Sequence, residues 1–482
     1  MAITIVGQPD QIMPAYNPVV YYLNSNNKAF TGFRYIIQIY DAGTATLLAE
    51  FKVAPRPTDG YGYVDISKIV QSKLSSYLNI NAASFSSADT GTVYNYDLKF
   101  GEEYVATKAW QSYQSSGTTP AFVRINSTAH GYVAGDQIKL TTSVTYTDAR
   151  QALNGYFTVQ SVVNANAYVI NLSYVPGMVG LPASGTSQYA DNRILRYTNL
   201  TSLLNRRVFN RAYEFQDWPS YTQSQIILGA STSEILTNAP NTGFYIRPDQ
   251  RAFWNFWDNK QNLCKYVLFQ NDAGETFYMN TSSTASFVKQ VNVAYGISPI
   301  GLGGAVLPLV KSTTLYYDVW STSSNQLNVQ TSEKQRLYID RICPINETQI
   351  LFLDRAGSWS SFSFPLRQIE TGQVTRDAYR KELGGLKAGA YTYATTDTGT
   401  TNWYISNTKN YTLNTSWITD EMSVYFEELI TSPQTFVLFD GSVSWLACQI
   451  VNSNYTIERS KNKKLIRKTI EIRLANNDNI NI

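Results

Sequence analysis

Tyr35-Ile36-Ile37-Gln38-Ile39-Tyr40 runs into Asp41-Ala42-Gly43 and then into Leu47-Leu48-Ala49-Glu50-Phe51-Lys52-Val53. Two runs rich in aromatic and aliphatic residues flank a short Asp/Gly turn. Such residues fit a pleated, half-buried surface, and Asp and Gly tolerate the backbone angles of a hairpin turn. The pattern recurs at 266–270, Asn271-Asp272-Ala273-Gly274 and 276–279, and again at 350–353, Asp354-Arg355-Ala356-Gly357 and 359–364. A looser copy is 436–439, Asp440-Gly441 and 443–448. Hairpins from end to end predict a mainly β protein, built of several β-sandwich or barrel-like domains with one or two short packed helices.

The composition agrees. A chain of 482 residues has room for two to four domains. Charged residues make up only 16 %, and 39 Lys plus Arg against 36 Asp plus Glu leave a net charge of +3. That balance argues against a chain built to neutralise phosphates and against an acidic disordered tail. Tyr (35), Phe (21) and Trp (9) take the place of charge, and 43 % hydrophobic residues suffice for a large core. One His, His130, cannot make a His pair. Cys264, Cys343 and Cys448 are far apart, form no CxxC, and read as buried small hydrophobes, compatible with a reducing compartment. The start of the sequence has no signal-peptide pattern, and no apolar run is long enough to span a bilayer, so no membrane insertion is expected. Nothing in the sequence calls for a cofactor or a metal, and no GxxxxGK[ST] or GxGxxG element is present.

Two segments carry helical spacing. From an N-cap at Asp65, Ile66, Ile69, Val70, Leu74, Tyr77 and Leu78 form one stripe, predicting a helix over 65–78. Leu200, Leu203, Leu204 and Val208 suggest a second over 199–209. Residues 116–188 are bounded by Ser/Gly/Thr/Pro stretches and hold short alternating strands, as expected of a small β module inserted into a loop. The expected organisation is therefore an N-terminal β domain (1–115), the inserted module (116–188), a central region continuing the first domain (189–300), and a C-terminal β domain (301–482) ending in a basic hairpin of 454–458 and 465–474.

The inserted segment reads His130-Gly131-Tyr132-Val133-Ala134-Gly135-Asp136-Gln137-Ile138-Lys139-Leu140, then Ala152-Leu153-Asn154-Gly155-Tyr156-Phe157-Thr158-Val159, then Ala167-Tyr168-Val169-Ile170. It resembles the small β-barrel module called FCCH-like, after a domain of ubiquitin-activating enzymes, which recurs in tail proteins of bacteriophages. Tyr16-Asn17-Pro18-Val19-Val20, Gly60-Tyr61-Gly62-Tyr63-Val64-Asp65, Phe100-Gly101-Glu102-Glu103-Tyr104, Ile350-Leu351-Phe352-Leu353-Asp354-Arg355-Ala356-Gly357-Ser358-Trp359 and Ile470-Glu471-Ile472-Arg473-Leu474-Ala475-Asn476 resemble segments of virion proteins from tailed phages of Bacteroidetes, crAss-like phages among them. The resemblance implies a non-enzymatic tail ring or hub protein. It would be made in the host bacterial cytoplasm, be located in the virion, and have copies of itself and neighbouring tail proteins (portal-proximal or the next ring) as partners. It carries over no catalytic residue.

Candidate sites follow from residue type. Phe253, Trp254 and Trp257 with Arg251 read either as part of a domain core with cation–π contacts or as a subunit interface, since Trp and Arg are enriched at interface hot spots. The same tryptophans in an exposed groove would suit the alternative function, a host-surface glycan-binding adhesin or baseplate protein. In the basic run, Lys463, Lys464, Arg467 and Lys468 could touch a neighbour or DNA passing through a tail channel. A glycan hydrolase would need two carboxylates flanking a cleft. Glu102/Glu103 are adjacent on a strand and so face opposite ways, whereas Glu427/Glu428 and Glu214/Asp217 could meet only through folding.

Overall fold

The computed structural model describes every residue except 1–2, 31, 81–84, 105–106, 117–121, 173–174, 176, 178–181, 190–194, 242–243, 248–249, 283–284, 295–299, 302–308, 325–328, 342–346, 443, 453–465, 477 and 481–482. It is mainly β and divides into two compact units. The first comprises residues 1–11, 18–69 and 95–206; the second comprises 12–17, 70–94 and 207–482. Residues 207–300 thus fall in the second unit, although the sequence reading placed them with the first domain.

In the first unit, Arg34–Asp41 pairs antiparallel with Leu47–Val53, as the opening hairpin predicts. The turn is held by Asp41, whose Oδ1 accepts from the backbone N–H of Gly43 (2.9 Å) and Thr44 (2.8 Å). The left-handed backbone position there is Ala45, not Gly43. On its other side Arg34–Asp41 pairs with residues 96–103. A second small sheet, Ile3–Gly7, Val20–Ser25 and Gly62–Asp65, contributes Tyr21 and Leu23 to the core that Tyr35, Ile37, Leu98 and Phe100 fill from the first. Tyr21 meets Phe100 ring to ring at 5.9 Å, and its hydroxyl bonds that of Tyr96 at 3.1 Å.

The inserted module is a seven-stranded antiparallel sheet. Its end strands, Lys108–Trp110 and Ser112–Ser116, are separated by Gln111 alone, so the sheet curls back on itself into a nearly closed barrel. It therefore begins ahead of the boundary expected at 116. Trp110, Val123, Ile125, Ile138, Leu140, Leu153, Val159, Tyr168 and Ile170 fill the interior.

In the second unit, a six-stranded and an eleven-stranded sheet share one core with a helix, Asp420–Thr431. The helix turns Met422, Tyr425, Phe426 and Leu429 inward and is capped by Thr419, whose Oγ1 accepts from the Met422 N–H at 3.3 Å. Three Asp/Gly-turn hairpins form as read: Tyr266–Asn271 with Thr276–Asn280, Thr348–Leu353 with Trp359–Phe364, and Thr435–Leu438 with Leu446–Ile450.

Both helix expectations need correction. The first is confined to Ser67–Gln71. Beyond it, the Ser75 N–H donates to the Gly91 carbonyl (2.7 Å), and the Tyr77 carbonyl accepts from the Trp359 indole (2.9 Å) and the Gln290 amide (3.1 Å). Tertiary partners replace the i−4 ladder. The second segment is a strand, Leu195–Phe209, with Arg207–Phe209 running parallel to Ile12–Pro14. Leu204 is exposed, so its leucines form no single buried stripe. At the C-terminus Thr469–Leu474 is a strand with Ile470 and Ile472 buried, paired with Leu446–Ile450 and Thr400–Asn414. The expected partner at 454–458 lies outside the described residues.

Candidate functional site

The Asp354-Arg355-Ala356-Gly357 turn borders a polar cleft of the second unit. Gly357 sits at φ +87°, a conformation that glycine adopts without strain. Asp354 is buried. Its Oδ1 accepts from the Ser358 N–H (2.8 Å), and its Oδ2 accepts from the Asn238 N–H (3.1 Å), the Thr237 hydroxyl (3.2 Å) and the Tyr425 hydroxyl (3.5 Å). Burial, and then the charge of Glu428, push its carboxyl up to about 7. Arg355 clamps the turn onto the helix: its backbone N–H donates to Glu428 Oε2 (2.8 Å), its Nε donates to Glu428 Oε1 (2.7 Å), and its Nη2 also reaches Glu214 at 3.0 Å. Beside it, Arg211 pairs with Glu234 at 3.0 Å and lies over the Tyr213 ring. Burial raises Glu333.

The cleft measures about 770 Å³, and seven carboxylates line it against two guanidiniums. It brings Glu214 and Asp217 together with Glu427 and Glu428, which sequence spacing could not do. Glu428, however, is 5 % exposed and held by three donors, and Asp354 is 3 % exposed and held by four. These two carboxylates fasten a hairpin turn to a helix, and the remaining acids present a negative wall that repels a polyanion.

The other predicted sites resolve differently. Every position of Phe253–Trp257 is buried. The strand lies inside the eleven-stranded sheet, pairing with Val288–Asn292, and Trp257 packs on Phe209 at 5.1 Å. Phe253, Trp254 and Trp257 are therefore core residues of this chain, as the first of their two readings expects, and the subunit-interface reading is corrected. Arg251 is half-buried beside them, and its carbonyl accepts from the Ser361 hydroxyl at 2.6 Å. Lys463 and Lys464 lie outside the described residues. Arg467 is exposed with its guanidinium 4.2 Å from the Trp417 ring centre, and Lys468 is held through its backbone N–H to Thr415 Oγ1 at 2.9 Å.

His130 is buried in the barrel. Its Nδ1 accepts from the Tyr132 N–H and its Nε2 meets the Asn164 carbonyl, both at 3.0 Å, which requires the proton on Nε2. With Tyr132 and Tyr168 around it, the ring is a structural element. Glu102 accepts from Ser25 and Asn27, while Glu103 pairs with Lys52 at 2.7 Å, so the two acids do face apart. Cys264 and Cys448 are buried free thiols, pushed up to about 12 and about 11 by burial; Cys343 lies outside the described residues.

One feature had no signal that the sequence reading used. Ile369–Arg380 and Thr400–Asn414 pair over twelve positions in an antiparallel ribbon about 40 Å long. All of Ile369–Arg380 is exposed, and beyond the ribbon a small hairpin, Gly385–Lys387 with Ala390–Thr392, is exposed as well. A bulge skips Trp403, leaving it 60 % exposed, while Leu386 is 80 % and Tyr393 70 % exposed. Only the root is buried, through Tyr411 and Leu413.

No family model matches the chain, and no curated protein matches it. Among solved structures, it is similar to a phage phi92 endosialidase at 10 % sequence identity and a TM-score of 0.16, over 98 % of this chain and 68 % of that one. A likeness at that level decides neither fold nor chemistry. Among the described residues, no helix is long and apolar enough to cross a membrane.

Proposed function

We propose that the chain is a non-catalytic structural subunit of a bacteriophage tail, assembling with copies of itself into a ring that meets neighbouring tail proteins and extends the DNA conduit. The observation that carries this reading is the exposed ribbon. Asp478–Ile480 backs the ribbon at Ile405–Asn407 and Thr469–Leu474 backs it at Asn410–Asn414, so among the described residues it has two strands only outward of Ile405. A two-stranded tip is marginal in water, and this one also displays Leu386, Tyr393 and Trp403 to solvent. Such an arm gains its stability from a partner. The sequence resemblance to tail ring proteins supplies the kind of assembly, and head-to-tail contacts that close into a ring supply its geometry. The adhesin alternative relied on Trp254 and Trp257 in an open groove, and both are buried. Negative-stain imaging with light scattering on the purified full chain tests the proposal. Closed rings are expected, and a monomer at every concentration examined overturns it.

A further inference from the structure

Ile369–Arg380 is the terminal strand of the eleven-stranded sheet: it pairs with Thr400–Asn414 on one side, and among the described residues no strand pairs with its other edge. Chains protect such edges by keeping them short or by placing Pro or bulges on them, because a row of free N–H and C=O groups templates another strand. This edge is twelve residues long, without Pro, and the bulge of the ribbon lies on the opposite strand at Trp403.

We propose that this edge pairs antiparallel with the same edge of a second copy, across a two-fold axis through Thr375. Charge complementarity sets this register. The strand carries Glu370 near one end and Arg376 and Arg380 toward the other; its second acid, Asp377, has the opposite parity and so lies on the other face from these three. A two-fold axis normal to the sheet keeps every side chain on its own face, so only residues of equal parity stand opposite one another. Centred on Thr375, the pairing uses residues 370–380, sets Glu370 of each copy against Arg380 of the other, and places Gly372 against Ala378. Parallel self-pairing in register would set like charges against each other. Within its own chain Glu370 already meets Lys409 at 3.0 Å, with half of the Glu370 side chain still open to a further cation. The proposal rests on the self-assembly reading above and deepens it by naming one contact, two-fold rather than head-to-tail, such as joins two rings back to back.

Sedimentation velocity on the full chain tests it, comparing wild type, the Arg376→Glu/Arg380→Glu variant, and that variant with Glu370→Arg added. The first variant is expected to weaken the two-fold association about tenfold or more, and the added charge swap to restore it. A wild-type association left intact by the reversal overturns the proposal, and so does a reversal that the swap fails to rescue. Thr375→Cys gives a second readout. Directly opposed residues of an antiparallel pair lie within disulfide reach, so mild oxidation should yield a covalent dimer that the wild type does not form. No covalent dimer counts against the axis. A wild-type chain that is monomeric throughout overturns the self-assembly reading as well, whereas wild-type rings that persist in the variants overturn the edge pairing alone.

Discussion

Replacing Gly357 by Ala should destabilise the second unit far more than the same change at Gly441. Both glycines sit in Asp/Gly hairpin turns with left-handed backbones, at φ +87° and +71°. A Cβ at Gly441 meets nothing within 4 Å, whereas one at Gly357 would lie against the carbonyl oxygen of Asn210, closer than real Cβ contacts come. Both variants bear the left-handed penalty, about 1–2 kcal/mol. At Gly357 the turn must also move, and three bonds hold it where it is: Arg355 N–H to Glu428 (2.8 Å), Ala212 N–H to the Arg355 carbonyl (2.8 Å), and the Asn255 amide to the Gly357 carbonyl (2.6 Å). At about 1 kcal/mol each, losing two or three of them brings Gly357→Ala to about 4 kcal/mol against about 1–2 kcal/mol for Gly441→Ala. Urea unfolding, read as the shift in midpoint at constant slope, measures both. Equal losses for the two variants would refute the claim that the turn is locked by close approach and not by backbone conformation alone.

Arg355→Ala takes from the buried Glu428 its half-exposed cation and the side-chain bonds that go with it, and should cost about 2–3 kcal/mol, whereas Arg336→Ala, which breaks a more open pair with Asp318, should cost under about 1 kcal/mol in the same assay. The pH dependence follows from Asp354. Folding raises its carboxyl from its ordinary 3.8 to about 7, so between those values the folded protein holds a proton that the unfolded chain has released. Its contribution is fully present below pH 3.8 and is lost as pH rises through 7, so the urea midpoint should fall between pH 5 and pH 8. Asp354→Asn should flatten that fall, and an unchanged slope in the variant refutes the assignment.

The hairpins were legible because their information is local. Asp354 and Gly357 make the turn that their residue types favour, and the apolar runs on either side bury themselves on whatever packs nearby. Helical spacing over a dozen residues was a weaker guide. The stripe at 65–78 is overridden past Gln71 by tertiary bonds to Tyr77, while the signal of the helix Asp420–Thr431 lies in its start, where Thr419 caps it and Asp420 and Glu421 open its first turn. The acidic cleft was illegible in principle: Glu214, Arg355 and Glu428 are separated by long stretches of chain, and only the fold makes them neighbours. The ribbon escaped for another reason. A strand exposed on both faces has no buried side to impose alternation, so Ile369–Arg380 reads like loop.

That exposure changes what the composition means. Low charge and abundant Tyr suit a subunit whose surface meets other subunits. Yet Tyr21, Tyr35, Tyr96, Tyr168 and Tyr317 are fully buried, and so are Trp254, Trp257 and Trp359, so much of the aromatic content is spent on the cores of the two units. The aromatic residues that remain free to meet a neighbour include Tyr379, Tyr391, Tyr393 and Trp403, all on one projecting arm. An average over 482 residues cannot separate the two groups, and only the exposed one is open to a contact, because burying a tyrosine in the chain's own core removes it from any contact with another.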